Sequence, residues 1–176
     1  FLVSVCVGDV WLSWKDIGAW LLTGDMSISA LIFQEIRLPR SILAAMVGAT
    51  LGLAGAALQG LLRNPLAGPG SIGVSSTASL GAVVALYFGL TEVVSWALPA
   101  AGLFGAGFAV ILILFLAGRE ASILTLILAG VAINSFAGAL TALAINLAPS
   151  PYAAMEIVFW LLGSLADRSF EHVWLA

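Results

Sequence analysis

Four long apolar runs organise the chain, residues 41–62, 64–91, 93–118 and 121–155, and none of them contains Asp, Glu, Lys, Arg or His. Each exceeds the ~20 apolar residues that carry a helix across a ~30 Å hydrocarbon core. Lipid offers no partner to a backbone N–H or C=O, so runs of this length must satisfy themselves as helices. A membrane-barrel strand is only about 10 residues long and alternates apolar with polar positions. The pattern predicts an all-α, polytopic transmembrane helical bundle with four complete spans, over 41–62, 74–90, 95–117 and 122–147.

Breaks between the runs are sharp. Residues 63–73, Arg-Asn-Pro-Leu-Ala-Gly-Pro-Gly-Ser-Ile-Gly, hold two prolines and three glycines, which stop one helix and restart another. Glu92, Gly118-Arg119-Glu120 and Pro149-Ser150-Pro151 mark the later turns. The stretch around Phe159-Trp160-Leu161-Leu162-Gly163 is too short to span, and residues 155–170 are read as a short interfacial helix. Residues 8–40 mix Trp11, Trp14 and Trp20 with charges, the composition of a segment at headgroup level. Short helices outside the core are expected there, with Pro39 in the first turn of the helix that follows. Residues 1–7 read as the end of a helix cut short, since they have neither the basic flank nor the cleavage site of a signal peptide.

The helix over 41–62 places Gly48, Gly52, Ala56 and Gly60 at four-residue spacing. In lipid, where apolar surface gives no net drive to associate, such small-residue stripes let backbones pack closely. The stripe suits close packing inside this subunit, or a dimer face.

Composition narrows the function classes. Hydrophobic residues make up 62% of the 176 and charged residues 9%, against about 25% charged in soluble domains, too few to cover a water-soluble surface. The net charge of −3 supplies no basic stripe for phosphates, so no nucleic acid is expected as partner. Cys6 and His172 are each the sole residue of their type; no internal disulfide, metal site or cofactor is expected.

Energy-coupling chemistry is missing from the spans as well. A phosphate-binding P-loop needs a lysine after glycine, whereas the one lysine, Lys15, follows Trp14. Ion-coupled carriers place carboxylates or histidines inside their spans, and the four runs have none. No nucleophile with a matching base, and no carboxylate pair, is positioned for catalysis; the chain reads as a non-enzymatic subunit driven from elsewhere. The polar side chains that remain are Thr50, Gln59, Thr77, Ser79, Thr125, Asn134, Ser135, Thr141 and Asn146. They suit hydrogen bonds between helices, or, for Asn134, Ser135 and Thr141, the wall of a water-accessible path.

More specific than hydropathy are Arg37-Leu38-Pro39-Arg40, Gly55-Ala56-Ala57-Leu58-Gln59-Gly60, Arg63-Asn64-Pro65-Leu66-Ala67-Gly68-Pro69 and Ile72-Gly73-Val74. Together with Leu128-Ala129-Gly130-Val131-Ala132 and Trp160-Leu161-Leu162-Gly163-Ser164-Leu165, they resemble, collinearly over nearly the whole chain, the permease subunits of ABC importers for iron-siderophore, haem and vitamin B12 (cobalamin). The resemblance implies the N-terminal half of a ten-helix permease of the bacterial inner membrane: the end of helix 1, helices 2 to 5 and the approach to helix 6. It also implies a homodimer with a second permease copy, two cytoplasmic ATPase subunits and a periplasmic substrate-binding protein.

On the same resemblance, Arg37 and Arg40 would receive acidic residues of the binding protein, a task suited to the rigid guanidinium fork. Interfacial anchoring is the other reading of that pair. Asn64 and Leu66, and Ser122 in a second loop, would form a cytoplasmic gate; Asn134, Ser135 and Thr141 would line the translocation pathway. This orientation puts Lys15, Arg37, Arg40 and Arg168 outside against Arg63 and Arg119 inside, contrary to the positive-inside tendency. The alternatives to an ABC permease are an ion-coupled carrier and a non-transporting structural membrane subunit.

Overall fold

The computed structural model describes residues 4, 12–23, 27–118 and 122–176. The expected end of a first helix over 1–7 lies, apart from Ser4, outside the described residues, as do Arg119 and Glu120. The described elements are helical throughout: α1 (Trp14–Thr23), α2 (Ile28–Leu62), α3 (Val74–Tyr87), α4 (Leu90–Val93), α5 (Ala97–Ala117), α6 (Ile123–Asn146), α7 (Pro151–Leu162) and α8 (Phe170–Leu175).

Two compact units divide the chain, residues 1–52 with 164–176, and residues 53–163. In the first, Leu12, Ile17 and Phe33 form a buried cluster against which Trp20 and Leu38 pack. Trp20 and Phe33 meet edge to face at 5.1 Å, and the Trp20 indole N–H donates to the Gln34 side-chain carbonyl at 3.1 Å. An apolar ring with a satisfied polar tip is what a tryptophan at a membrane surface provides.

The structure corrects the reading of residues 8–40 as short helices ending before a span. Ser27 caps α2, accepting from the Ala30 N–H, and the helix then continues for 35 residues to Leu62. What carries it past Pro39 is a π-helical turn at Ile32–Arg37, in which the Leu38 N–H reaches back to the Phe33 carbonyl. A proline ring clashes with the carbonyl four residues earlier in a regular helix; the wider turn just before it relieves that crowding.

Schellman geometry ends α2. The Asn64 N–H donates to the Gln59 carbonyl at 3.2 Å and the Arg63 N–H to the Gly60 carbonyl at 3.4 Å. Arg63 therefore takes the left-handed position, with φ 48°, that glycine usually occupies.

In the second unit α3, α5, α6 and α7 pack together. A Cβ on Gly81 would collide with the Ala101 carbonyl, and one on Gly105 with the Thr77 carbonyl, so α3 and α5 touch backbone to backbone. Ala82, Val83 and Ala85 of α3 and Ala109 of α5 are fully buried in this unit, and Ala109, Ile113 and Ile133 form the core shared with α6. The small residues of α2 make no such contact: Gly48, Gly52, Ala56 and Gly60 are all exposed among the described residues.

Among the described residues three helices, where the sequence predicted four spans, are long and apolar enough to cross a membrane: Ile28–Leu62, Ala97–Ala117 and Ile123–Asn146. The run expected to be helical to 90 stops at Tyr87, and its 14 residues measure about 21 Å. Gly89, at φ 64°, turns the chain there. The expected helix over 155–170 is also displaced. Ser150 caps α7 by accepting from the Ala153 N–H, and Pro151 opens the first turn, where its missing N–H costs no hydrogen bond. Gly163, at φ 75°, ends it, and α8 follows from Ser169. His172 serves as a helix cap, its Nδ1 accepting from the Ser169 N–H at 3.3 Å.

Candidate functional site

Arg37 and Arg40 flank the junction between the π turn and the rest of α2. They differ in environment: Arg37 is buried at 9% exposure and partnered, whereas Arg40 is exposed. One turn of wider pitch thus presents a single guanidinium at the surface.

The loop after α2 is folded by its own polar side chains. Asn64 accepts from the Leu66 N–H at 2.9 Å through its side-chain oxygen, an Asx turn. The Gln59 amide donates to the Pro65 carbonyl at 3.0 Å. The Ser71 hydroxyl bridges the Gly68 carbonyl at 2.7 Å and accepts from the Gly68 N–H at 3.0 Å. Leu66, held at the tip of this turn, is 86% exposed, so the loop displays one large apolar side chain on a fixed backbone.

Ser122 caps α6, accepting from the Thr125 N–H at 3.1 Å, with its hydroxyl 2.8 Å from that of Thr125. Further along α6, the side-chain oxygen of Asn134 accepts from the Ser76 hydroxyl of α3, an interhelical bond of the first kind weighed for it. Ser135 is exposed and Thr141 half-buried. Ser76 escapes notice in the sequence, where one more serine in Ser75-Ser76-Thr77 carries no sign of its partner. The stripe glycines Gly48, Gly52 and Gly60 have open space where a Cβ would sit.

Between α3, α5 and α6 lies an apolar cleft of about 660 Å³, bordered by Leu80, Phe104, Phe108, Phe136 and Leu140. Recognition sites combine apolar walls with a few convergent polar groups. This cleft has only Thr77 to offer, whose hydroxyl already donates to the Gly73 carbonyl at 2.9 Å. It suits hydrocarbon rather than a polar cargo. Among the described residues no three His, Cys, Asp or Glu side chains gather as metal ligands.

The chain is 48% identical over 147 residues to an uncharacterised ABC transporter permease protein, YvrB, of Bacillus subtilis, covering 81% of this chain and 41% of that protein. It is 34% identical over 174 residues to the vitamin B12 import system permease protein BtuC of Klebsiella pneumoniae, covering 99% of this chain and 50% of that protein. A solved inward-facing structure of a metal-chelate type ABC transporter superposes with a TM-score of 0.77 at 31% identity, over 97% of this chain and 49% of that one. The chain thus spans about half the length of the curated relatives it matches. The sequence profile of a single transport family matches from the first residue to the last, and the chain, residues 1–176, belongs to that family, FecCD.

Proposed function

We propose that this chain is the N-terminal half of the membrane-spanning permease subunit of an ABC importer in the bacterial inner membrane. The importer moves an iron-siderophore, haem or cobalamin-type substrate by alternating access. The observation that carries the reading is the family match over residues 1–176, together with four apolar runs, 41–62, 64–91, 93–118 and 121–155, that hold no carboxylate or histidine to couple an ion gradient. The driving force then comes from cytoplasmic ATPase subunits, with a second permease copy completing the pathway and a periplasmic binding protein delivering cargo; the subunit itself is not an enzyme.

Within that reading Arg40, exposed beside buried Arg37, meets acidic groups of the binding protein. Asn64 and Leu66 border the cytoplasmic gate, which the rigid Asx turn and the exposed Leu66 support. Ser122 fixes the start of α6 at the same gate, and Ser135 and Thr141 of α6 belong to the pathway wall, while Asn134 is held by Ser76 of α3. A wall of hydroxyls and methyls binds nothing tightly, which suits a bulky cargo that must slide past.

The test is uptake by the full-length permease, reconstituted in proteoliposomes with its ATPase subunits and the binding protein encoded beside it. Labelled cyanocobalamin, ferric siderophore and haem serve as probes, and ATP-dependent accumulation of one of them is expected. Uptake that survives loss of the P-loop lysine in the ATPase but collapses with a protonophore would overturn the proposal.

A further inference from the structure

The register of α3 against α6 fixes where the loop over 63–73 meets the bundle. The Tyr87 hydroxyl at the end of α3 donates to the Leu147 carbonyl just past the end of α6, at 3.0 Å. At the other end of α3, Gly73 lies against residues 130 and 134 of α6. The two helices run parallel, and the 14 residues of α3 match only the C-terminal part of α6. The loop therefore joins α3 beside Gly130, about 10 Å along α6 from its first residue. Irregular backbone inside a membrane persists where protein buries it or where it lines water, and at residues 72–73 it is α6 that provides the cover.

Three contacts supply that cover. Gly73, buried and at φ 78°, leaves no room for a side chain: a Cβ would stand 2.9 Å from both the Asn134 nitrogen and the Gly130 carbonyl oxygen. Gly130 is equally constrained, since a Cβ there would stand 2.8 Å from the Ile72 α-carbon. The third contact is the hydrogen bond from the Ser76 hydroxyl to the Asn134 side-chain oxygen. Two reciprocal glycine contacts have no rotamer to soften them, and the hydrogen bond sets the rotation of one helix against the other.

We propose that Gly73, Ser76, Gly130 and Asn134 are positioning residues that latch the loop over 63–72 to α6, so that loop and helix shift as one rigid body. The proposal rests on the permease reading, in which Asn64 and Leu66 of the loop and Ser122 of α6 border one gate. Close-packed contacts of this kind switch between discrete arrangements instead of deforming. Any displacement of α6 then carries Asn64 and Leu66 with it, and the two gate elements need no separate signal.

The test uses the full-length subunit assembled with its ATPase subunits, with Cys6 and any other native cysteine replaced by serine. Nitroxide labels are placed at Gly70→Cys and Leu124→Cys, both exposed positions, in one permease copy per assembly, the other copy being cysteine-free. Pulsed electron resonance is expected to give one distance population, unchanged between the nucleotide-free and the ATP-vanadate-trapped states. Ser76→Ala should raise a second population by about three- to twentyfold, the equilibrium shift that matches one interhelical hydrogen bond. Ser76→Thr, which keeps the hydroxyl, should restore the single population, and Gly130→Leu should displace the loop further.

A wild-type distance that changes between the two states overturns the latch, and so does a Ser76→Ala distribution that superposes on wild type. Should Gly130→Leu fail to fold, Ser76→Ala, which removes a single oxygen, still decides. An assembly that hydrolyses no ATP would count against the permease reading alone, because the nucleotide-free comparison of wild type with Ser76→Ala tests the latch without it.

Discussion

The seam between α3 and α5 and the exposed length of α2 are both built on small residues at four-residue spacing, yet they end in opposite states. On α5, Ala101, Gly105 and Ala109 follow one another every fourth position, and Gly105 and Ala109 are buried against neighbouring helices. On α2, Gly48, Gly52, Ala56 and Gly60 repeat the same interval and stand exposed. Small residues permit a close approach; they do not compel one. What α5 adds is a partner of matching relief: Gly81 of α3 admits the Ala101 carbonyl while Gly105 admits that of Thr77, and each helix fills the other's gap.

The comparison breaks most readily at Gly105. A leucine there would drive its Cβ into the Thr77 backbone carbonyl, and neither helix can yield without also parting Gly81 from Ala101. Overpacking of a tight core costs about 1–3 kcal/mol, and a collision with backbone belongs at or above the top of that range. Gly105→Leu is expected to destabilise the full-length subunit by about 3 kcal/mol or more, followed as thermal unfolding in mild detergent. A loss below about 1 kcal/mol would mean that the seam opens freely.

Gly73→Ala comes next. A side chain at φ 78° costs about 1–2 kcal/mol in backbone strain, and the added methyl group also presses on Asn134 and Gly130. Alanine adds one methyl group where leucine at Gly105 adds a whole side chain, so a total of about 2 kcal/mol is expected from the same unfolding measurement. An effect below about 1 kcal/mol would mean that the loop end backs away from α6 and that the Gly73 contact holds nothing in place.

These distinctions mark where the sequence stops being informative. The all-α, membrane-spanning class was legible because charge-free runs leave the backbone no other way to satisfy itself. The loop motifs were legible because Asn64, Pro65 and Gly68 are local turn chemistry. Hydropathy carries no depth, however, so the helix read over 74–90 counted as a full span although it stops at Tyr87 after 14 residues. The π turn at Ile32–Arg37 leaves no composition signal, and with it went the burial of Arg37. The partnership of Ser76 with Asn134 joins residues 58 apart in sequence, and spacing within one helix cannot reveal a partner on another. The same limit hid which of two equivalent stripes is closed.

The smallest effect is expected on that open stripe. Gly52 has nothing within 4 Å of where a Cβ would lie, so in the chain described here Gly52→Leu meets no backbone and fills no cavity. Leucine also favours the helix over glycine by close to the ~1 kcal/mol that separates glycine from the best helix formers. The net change should be a slight gain, within about 1 kcal/mol, against the large loss at Gly105 for the same pair of residues. The informative measurement is the difference between the two leucine variants in one unfolding assay. If they lose stability equally, the stripe on α2 is as closed in the assembled subunit as the seam on α5, and small-residue spacing alone would then have marked both.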